Sequence, residues 1–247
     1  MVFLIISNVM NRVVTFFDRI FYPDYKDNWD DQLFREEILA YIDAKSVLLD
    51  LGAGAGVVKE MNFKGLSSRV CGVDLDKRVL VNHMLDEGKV ADASKIPYPD
   101  SMFDLVFSDN LMEHVDSPQT IYVEVCRVLK PGGYFLFKTP NKYHYMPVAA
   151  RLTPHKFHQW FNALRGRKTV DTFPTRYQSN SRGDIKDIGL LAGFSAVQVK
   201  IVEGRPEYLR ISSLTYVLGI IYEKIVNSSE LFSPLRILII AKLQKSK

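Results

Sequence analysis

Cysteine is scarce: two residues in a chain of 247, too few for a disulfide framework. Cys71 and Cys126 sit in apolar stretches with no C-x-x-C or histidine spacing, so no metal site is written there and a reducing, cytoplasmic setting is expected. Charge of one sign is also lacking. Thirty-two basic residues against 28 acidic ones leave +4, spread along the chain, which carries no nucleic-acid footprint. No apolar run approaches the roughly 18 uninterrupted residues of a membrane-spanning helix. The apolar start MVFLIISNVMNRVV has no basic residue before its apolar run and no small-residue cleavage pattern, so no signal peptide is expected. Internal repeats and low-complexity tracts are absent too. What remains is a globular composition, 47% hydrophobic, that predicts one principal domain with decorations.

Short apolar runs mark strands buried on both faces: Val47 to Leu51, Arg69 to Leu75, Phe103 to Ser108 and Gly133 to Thr139. Helical patterns lie around them. Asp30 to Ile42 reads as a helix, and so does the segment capped by Ser117, with Pro118 in its first turn, Ile121, Val125, Val128 and Leu129 on one face, and Pro131 and Gly132 as its stop. GDIKDIGLLAGF predicts another helix, followed by the strand patterns SAVQVKIV and LRILIIAKLQ with a helical insertion, Ser212 to Val226, between them. The alternation predicts an α/β, Rossmann-like sheet of seven mostly parallel strands with helices on both faces. Residues 1–29 read as an N-terminal extension to a domain over 30–247. Between strands five and six, residues 140–182 read as an inserted lid, and 204–234 as a helical insertion.

VLLDLGAGAGVV, Val47 to Val58, ends its strand pattern in three alternate glycines where a helix is expected to begin. Glycine there lets the main chain approach a ligand without Cβ interference and at positive φ, which points to a nucleotide-like ligand. Gly52, Gly54 and Gly56 form G-x-G-x-G, and Val57 stands where a dinucleotide motif has its third glycine. Asp50 precedes the turn, Asp74 closes the next strand where a carboxylate accepts ribose hydroxyls, and Asp92 follows in VADASKIPYPD.

With FDLVFS and RVLKPGG downstream, this ordered set resembles the class I S-adenosylmethionine-dependent methyltransferases over about residues 30–139. The resemblance implies S-adenosylmethionine as cofactor. It implies that Asp50 orients the turn near the amino group and that Gly52, Gly54 and Gly56 pass beside the methionine and ribose. It also implies that Asp74 holds the ribose, Asp92 and Ala93 meet the adenine, and Leu75 and Ile96 wall it. SDNLMEHV then sets Ser108, Asp109, Asn110 and His114 along the reacting end; D/N-P-P-Y, common among enzymes acting on amide or base nitrogens, is absent.

A sulfonium methyl is already activated, so catalysis needs a positioned nucleophile, a base where that nucleophile is a hydroxyl, and no metal. His114 is the candidate general base, with a local helix-start hydrogen bond as its plain alternative. The expected reaction transfers a methyl group to oxygen of a small-molecule or a lipid- or glycan-linked acceptor. Two other readings share the motif: a non-catalytic cofactor-binding or scaffold protein, and an NAD(P)-dependent oxidoreductase, which the glycine spacing disfavours. In the insertion, Tyr143, His144, His155 and His158 are candidate substrate contacts of an aromatic lid; the two last histidines, three apart, lack a third metal ligand. His83 reads as a helix exterior. The apolar face of the C-terminal insertion suggests either packing or peripheral contact with a membrane.

Overall fold

The structure is a computed structural model that describes residues 13–25, 28–152 and 174–247. The chain divides into two compact units. One comprises 30–142, 174–201 and 238–247. The other gathers 1–29, 143–173 and 202–237, as far as these are described. Helix α1 covers 13–21; it is followed by α2 (Trp29–Leu39), β1 (Val47–Leu51), β2 (Arg69–Asp74), β3 (Glu87–Val90), β4 (Phe103–Asp109), α3 (Pro118–Val128) and β5 (Leu129–Pro140). Then come α4 (Tyr145–Leu152), α5 (Arg182–Leu191), β6 (Phe194–Val202), α6 (Ser213–Asn227) and β7 (Leu238–Lys245).

The larger unit is built on one seven-stranded sheet in the order β3-β2-β1-β4-β5-β7-β6. β1 pairs in parallel with β2 on one side and β4 on the other, β2 with β3 and β4 with β5, while β7 runs antiparallel to β5. The strand order reverses between β1 and β4, and in open α/β sheets a crevice forms outside the carboxyl ends at such a point. Alternation along the strands sends Val106 and Phe107 to opposite faces. Leu49, Leu51, Val106, Phe135 and Phe137 join Ile121 and Val125 of α3 and Ile185 of α5 in one core. On the other face the Phe63 ring meets Phe107 edge-on at 5.1 Å, the Arg35 guanidinium lies 4.8 Å from its centre, and α2 buries Phe34 and Ile38. Each such side chain contributes about 1.5–3 kcal/mol on leaving water.

Two expectations are corrected. No α-helix follows the glycine turn: β1 and β2 are joined through a 3-10 turn, Lys59–Met61, and β2 and β3 through another, Lys77–Val81. The first link, Gly52 to Ser68, also holds Gly65 at φ 81° and a bridge between Lys64 and Ser67, which use up residues a helix would need. His83 accordingly lies exposed in a turn rather than on a helix. α3 begins after Ser117, whose side chain makes no capping bond, and passes directly into β5; the pairing shifts register between Phe103 and Leu105, opposite Pro131 to Gly133.

The smaller unit holds α1, α4 and α6. α6 starts at a capping box in which Ser212 and Thr215 bond reciprocally. α1 packs on it through Val14, Tyr22, Tyr216 and Ile220. Among the described residues no helix is long and apolar enough to cross a membrane.

Candidate active site at the strand carboxyl ends

The glycine turn leaves β1 at the switch point, and its three glycines all have positive φ: 86° at Gly52, 48° at Gly54 and 70° at Gly56. Their reasons differ. A Cβ on Gly56 would lie 2.1 Å from Asn82 Oδ1, so its glycine is demanded by packing. A Cβ on Gly54 would meet nothing closer than Asp74 Oδ2 at 3.9 Å, so there the main chain faces open space. Gly52 N–H and Ala53 N–H both donate to Val73 O, at 2.8 and 3.2 Å, which stitches the turn to β2.

Asp74 completes that stitching. Its Oδ2 accepts from Gly54 N–H at 2.8 Å and its Oδ1 from Asp76 N–H at 2.7 Å. Each carboxylate oxygen has a second lone pair, so the group can hold the turn and still accept from a diol. Behind the turn, buried Asn82 donates to Ala53 O at 3.0 Å and accepts from Met84 N–H at 2.9 Å. Sequence reading missed Asn82, which carries no motif; only its position after a strand-terminal acid hinted at it.

Ala91 N–H donates to Asp74 O at 3.0 Å and so brings Asp92 and Ala93 beside the end of β2. Asp92 is exposed and accepts from Ser94 N–H at 2.7 Å. Leu75 is exposed, as a wall open to a ligand requires, whereas Ile96 is buried in the core. The loop after Asp92 is fixed by Arg127 of α3, which donates to Ile96 O and Tyr98 O and pairs with Glu124 and Asp100.

On the β1 and β4 side, charge is buried. Asp50 is almost wholly buried, no described residue donates a hydrogen bond to it, and its carboxyl is pushed well above the usual carboxylate range by burial, then by Asp109 and Asp74. Asp109 is raised to about 6 by burial, an effect that the adjacent Lys138 partly offsets. Lys138 of β5, with no side-chain exposure, is ion-paired to Asp109 and Asp30 at 3.1 Å each and to Asp31. Burial alone would lower it; the three carboxylates more than reverse that, so it stays an ammonium. Ser108 is fully buried within β4 and its Oγ has no partner among the described residues. Asn110, at φ 51°, donates from its side chain to Asp109 Oδ1 at 2.8 Å and from its backbone to Lys138 O at 3.0 Å.

His114 follows on the same loop. Its Nδ1 lies 3.1 Å from Pro174 O. A carbonyl only accepts, so the neutral ring carries its proton on Nδ1. Nε2 is 3.9 Å from Glu113 Oε1. Glu113 is buried, which raises its carboxyl, and it accepts from Thr139 Oγ1 at 2.9 Å, which in turn accepts from Asn180 Nδ2 at 2.7 Å. Arg176 N–H and Tyr177 N–H both donate to Glu113 O, so the chain beyond the insertion is pinned to the loop after β4.

The larger unit thus brings together Asp50, Gly52, Gly54, Gly56, Asp74, Leu75, Asp92, Ala93, Ser108, Asn110 and His114. Tyr143 and His144 belong to the smaller unit. Tyr143 is exposed, while His144 is fully buried among Tyr145, Tyr208 and Tyr222, with its Nε2 3.6 Å from Glu203. His155 and His158 lie outside the described residues. No cluster of three metal-ligating side chains occurs among the described residues.

The residues present fit a nucleoside with a cationic end: a main-chain cradle open at Gly54, a diol acceptor at Asp74, and buried acids at Asp50 and Asp109 to meet positive charge. They do not fit a diphosphate, because the turn opens no helix N-terminus to receive it.

Residues 49–137 match the family model described as "Methyltransferase domain". The chain is 30% identical over 118 residues to the ubiquinone biosynthesis O-methyltransferase of Thiobacillus denitrificans, covering 42% of this chain and 50% of that protein. It is 32% identical over 148 residues to the protein of the same name from Nitrosomonas europaea, covering 53% and 62%. The chain therefore spans about half the length of the curated relatives it matches, or somewhat more. Among solved structures, the Haemonchus contortus phosphoethanolamine N-methyltransferase 2 in complex with S-adenosyl-L-methionine aligns with a TM-score of 0.57 at 18% identity, over 95% of this chain and 57% of that one.

Proposed function

We propose that this chain, whose residues 49–137 match a methyltransferase-domain model, transfers a methyl group from S-adenosylmethionine to a hydroxyl oxygen. The acceptor is a small molecule or a hydroxyl carried on a lipid or glycan. One observation carries the reading: a glycine turn at positive φ, tied to Asp74 by Gly54 N–H, beside the buried carboxyl of Asp50. The name of the two bacterial relatives supports oxygen as the nucleophile.

S-adenosylmethionine supplies, when bound, a methyl group already activated on a sulfonium. The chain's residues do the rest. The turn and Asp74 bind the ribose, Asp92 and Ala93 the adenine, and Asp50 the amino group, all orienting work. His114 Nε2 takes the proton of the acceptor hydroxyl, and the imidazolium so formed gains the nearby Glu113 carboxylate as counter-charge. His114 is thus assigned as catalytic base. Nitrogen acceptors need no such base, since an amine can lose its proton to water after reaction.

Isothermal titration with S-adenosylmethionine and S-adenosylhomocysteine tests the cofactor half; absence of binding by folded protein overturns it. Labelled cofactor incubated with fractionated lysate then shows whether label enters lipid, glycan or the small-molecule pool. For His114→Ala, cofactor affinity is expected to stay within about twofold while kcat falls by roughly 10²–10⁴. Unchanged turnover removes the residue from the mechanism.

A further inference from the structure

Between β3 and β4 the chain runs for twelve residues, 91–102, with no strand or helix. Its ends follow the sheet and α3: Ala91 N–H donates to Asp74 O, and Ser101 N–H and Met102 N–H donate to Arg127 O and Val128 O. Its middle is held by two side chains of α3. Glu124 Oε2 accepts from Ile96 N–H at 3.0 Å, while Arg127 donates to Ile96 O at 2.9 Å and to Tyr98 O at 3.0 Å. Ile96 is therefore gripped through both its N–H and its C=O.

Helix geometry makes the grip possible, because residues three apart lie on one face. Glu124 Oε1 and Oε2 accept from Arg127 Nε and Nη2 at 2.9 Å each, a two-point contact that sets the plane of the guanidinium. With Asp100 on Nη1, the five N–H groups of Arg127 meet five acceptors, two of them main-chain carbonyls of the loop. An ion pair kept for stability alone contributes little at a surface and has no need of those carbonyls. A rigid planar fork whose donors end on backbone specifies a chain path.

The path matters for Asp92. That residue is exposed, and its carboxylate accepts from Ser94 N–H within the same loop, so where the carboxylate stands at the crevice follows from where the loop runs. We infer that the Glu124–Arg127 pair is a positioning device for base recognition: it holds the loop so that the Asp92 carboxylate and the Ala93 N–H meet the edge of an adenine and reject other purines. The inference rests on the reading of S-adenosylmethionine as cofactor with Asp92 and Ala93 at its base. Neither side chain of the pair touches that base; both act through Ile96 and Tyr98. The consequence is selectivity. Adenine offers an exocyclic N–H to a carboxylate and a bare ring nitrogen to a backbone N–H, whereas hypoxanthine has an oxygen in place of the first and a protonated nitrogen in place of the second. A fixed loop refuses hypoxanthine; a loose one shifts to follow its relocated N–H.

The test is isothermal titration of the full chain with S-adenosylhomocysteine and with its deaminated analogue, S-inosylhomocysteine. The ratio of the two affinities does not change when part of the protein is unfolded, so it reads positioning rather than stability. The parent is expected to prefer the adenine compound by about 10- to 100-fold, the worth of one charged hydrogen bond. In Arg127→Lys that preference should fall to within about threefold, because an ammonium cannot serve acceptors spread along a planar fork. Glu124→Gln keeps an oxygen for Ile96 N–H but gives up the two-point contact, so the preference should fall by a smaller factor; it decides the matter if the lysine variant does not fold. The inference is overturned if either variant, folded, keeps the parent's preference, whatever its affinity. A parent that binds both compounds equally removes the inference and leaves the cofactor reading standing, whereas a parent that binds neither removes both.

Discussion

The carboxylates on the two sides of the crevice are held in opposite ways. Asp74, at the end of β2, receives two backbone N–H donors. Asp50 and Asp109, at the ends of β1 and β4, are buried; no described residue donates to Asp50, and a buried lysine serves Asp109. The difference teaches that one residue type is doing two jobs. On the Asp74 side a negative charge is satisfied in advance, so it shapes the main chain and presents a fixed acceptor. On the other side Asp109 already faces Lys138, whereas a negative charge on Asp50 is costly until a cation approaches.

The comparison breaks most completely in Gly56→Ala. A Cβ there must displace Asn82 and hold φ near 70°, so a loss of at least about 3 kcal/mol in denaturant unfolding is expected. An alanine at Gly54, by contrast, costs only about 1 kcal/mol of stability but fills the cradle, so cofactor affinity drops more than stability does. If the two variants lose stability equally, the packing reason for Gly56 fails.

Next is Asp74→Ala, which removes the proposed ribose acceptor and orphans Gly54 N–H together. S-adenosylhomocysteine binding should weaken about 100-fold, at roughly 1.5–3 kcal/mol per lost charged hydrogen bond. Asp50→Asn sharpens the contrast. Removing a buried carboxyl leaves the melting temperature the same or higher, while cofactor affinity falls about tenfold. A melting temperature that drops as far as in Asp74→Ala would mean that the two acids play the same part.

The last effect is a pH dependence. Asp109 is raised from 3.8 to about 6, so the folded chain binds more protons than the unfolded one across that window. Its contribution to stability is therefore full below about pH 4 and is lost as pH rises through about 6. In Asp109→Asn that loss disappears. The variant should gain on the parent by the order of 1–3 kcal/mol between about pH 4 and 7, read from paired urea curves. A constant difference across that range counts against a raised Asp109.

Much of this was legible in the sequence because it is local. Val47 to Leu51 is a strand with the bounds its apolar run predicts, and β7 falls on the run LRILIIAKLQ. The glycines, Asp74 and Asp92 lie near one another because consecutive strands are adjacent. What the sequence did not disclose is distant in it. Lys138 meets acids 107 and 108 residues earlier, and Asn180 reaches back 41 residues to Thr139. No periodicity records such pairings. The missing helices after β1 and β2 are a different kind of miss: VVKEMNF has helix-forming residues, but the turns at Gly65 and Asn82 shorten the path between strands and leave no room for a helix.

Asp50 has one more consequence. Burial drives the Asp50 carboxyl toward its neutral form, so an ammonium or sulfonium settling against it favours release of a hydrogen ion to the solvent. Heat of association measured in phosphate and in Tris, whose own ionisation heats differ widely, should then disagree by a fraction of one buffer ionisation. Cofactor uptake would act as a small acid pulse, and the apparent affinity would climb with alkalinity until that hydrogen ion had already gone.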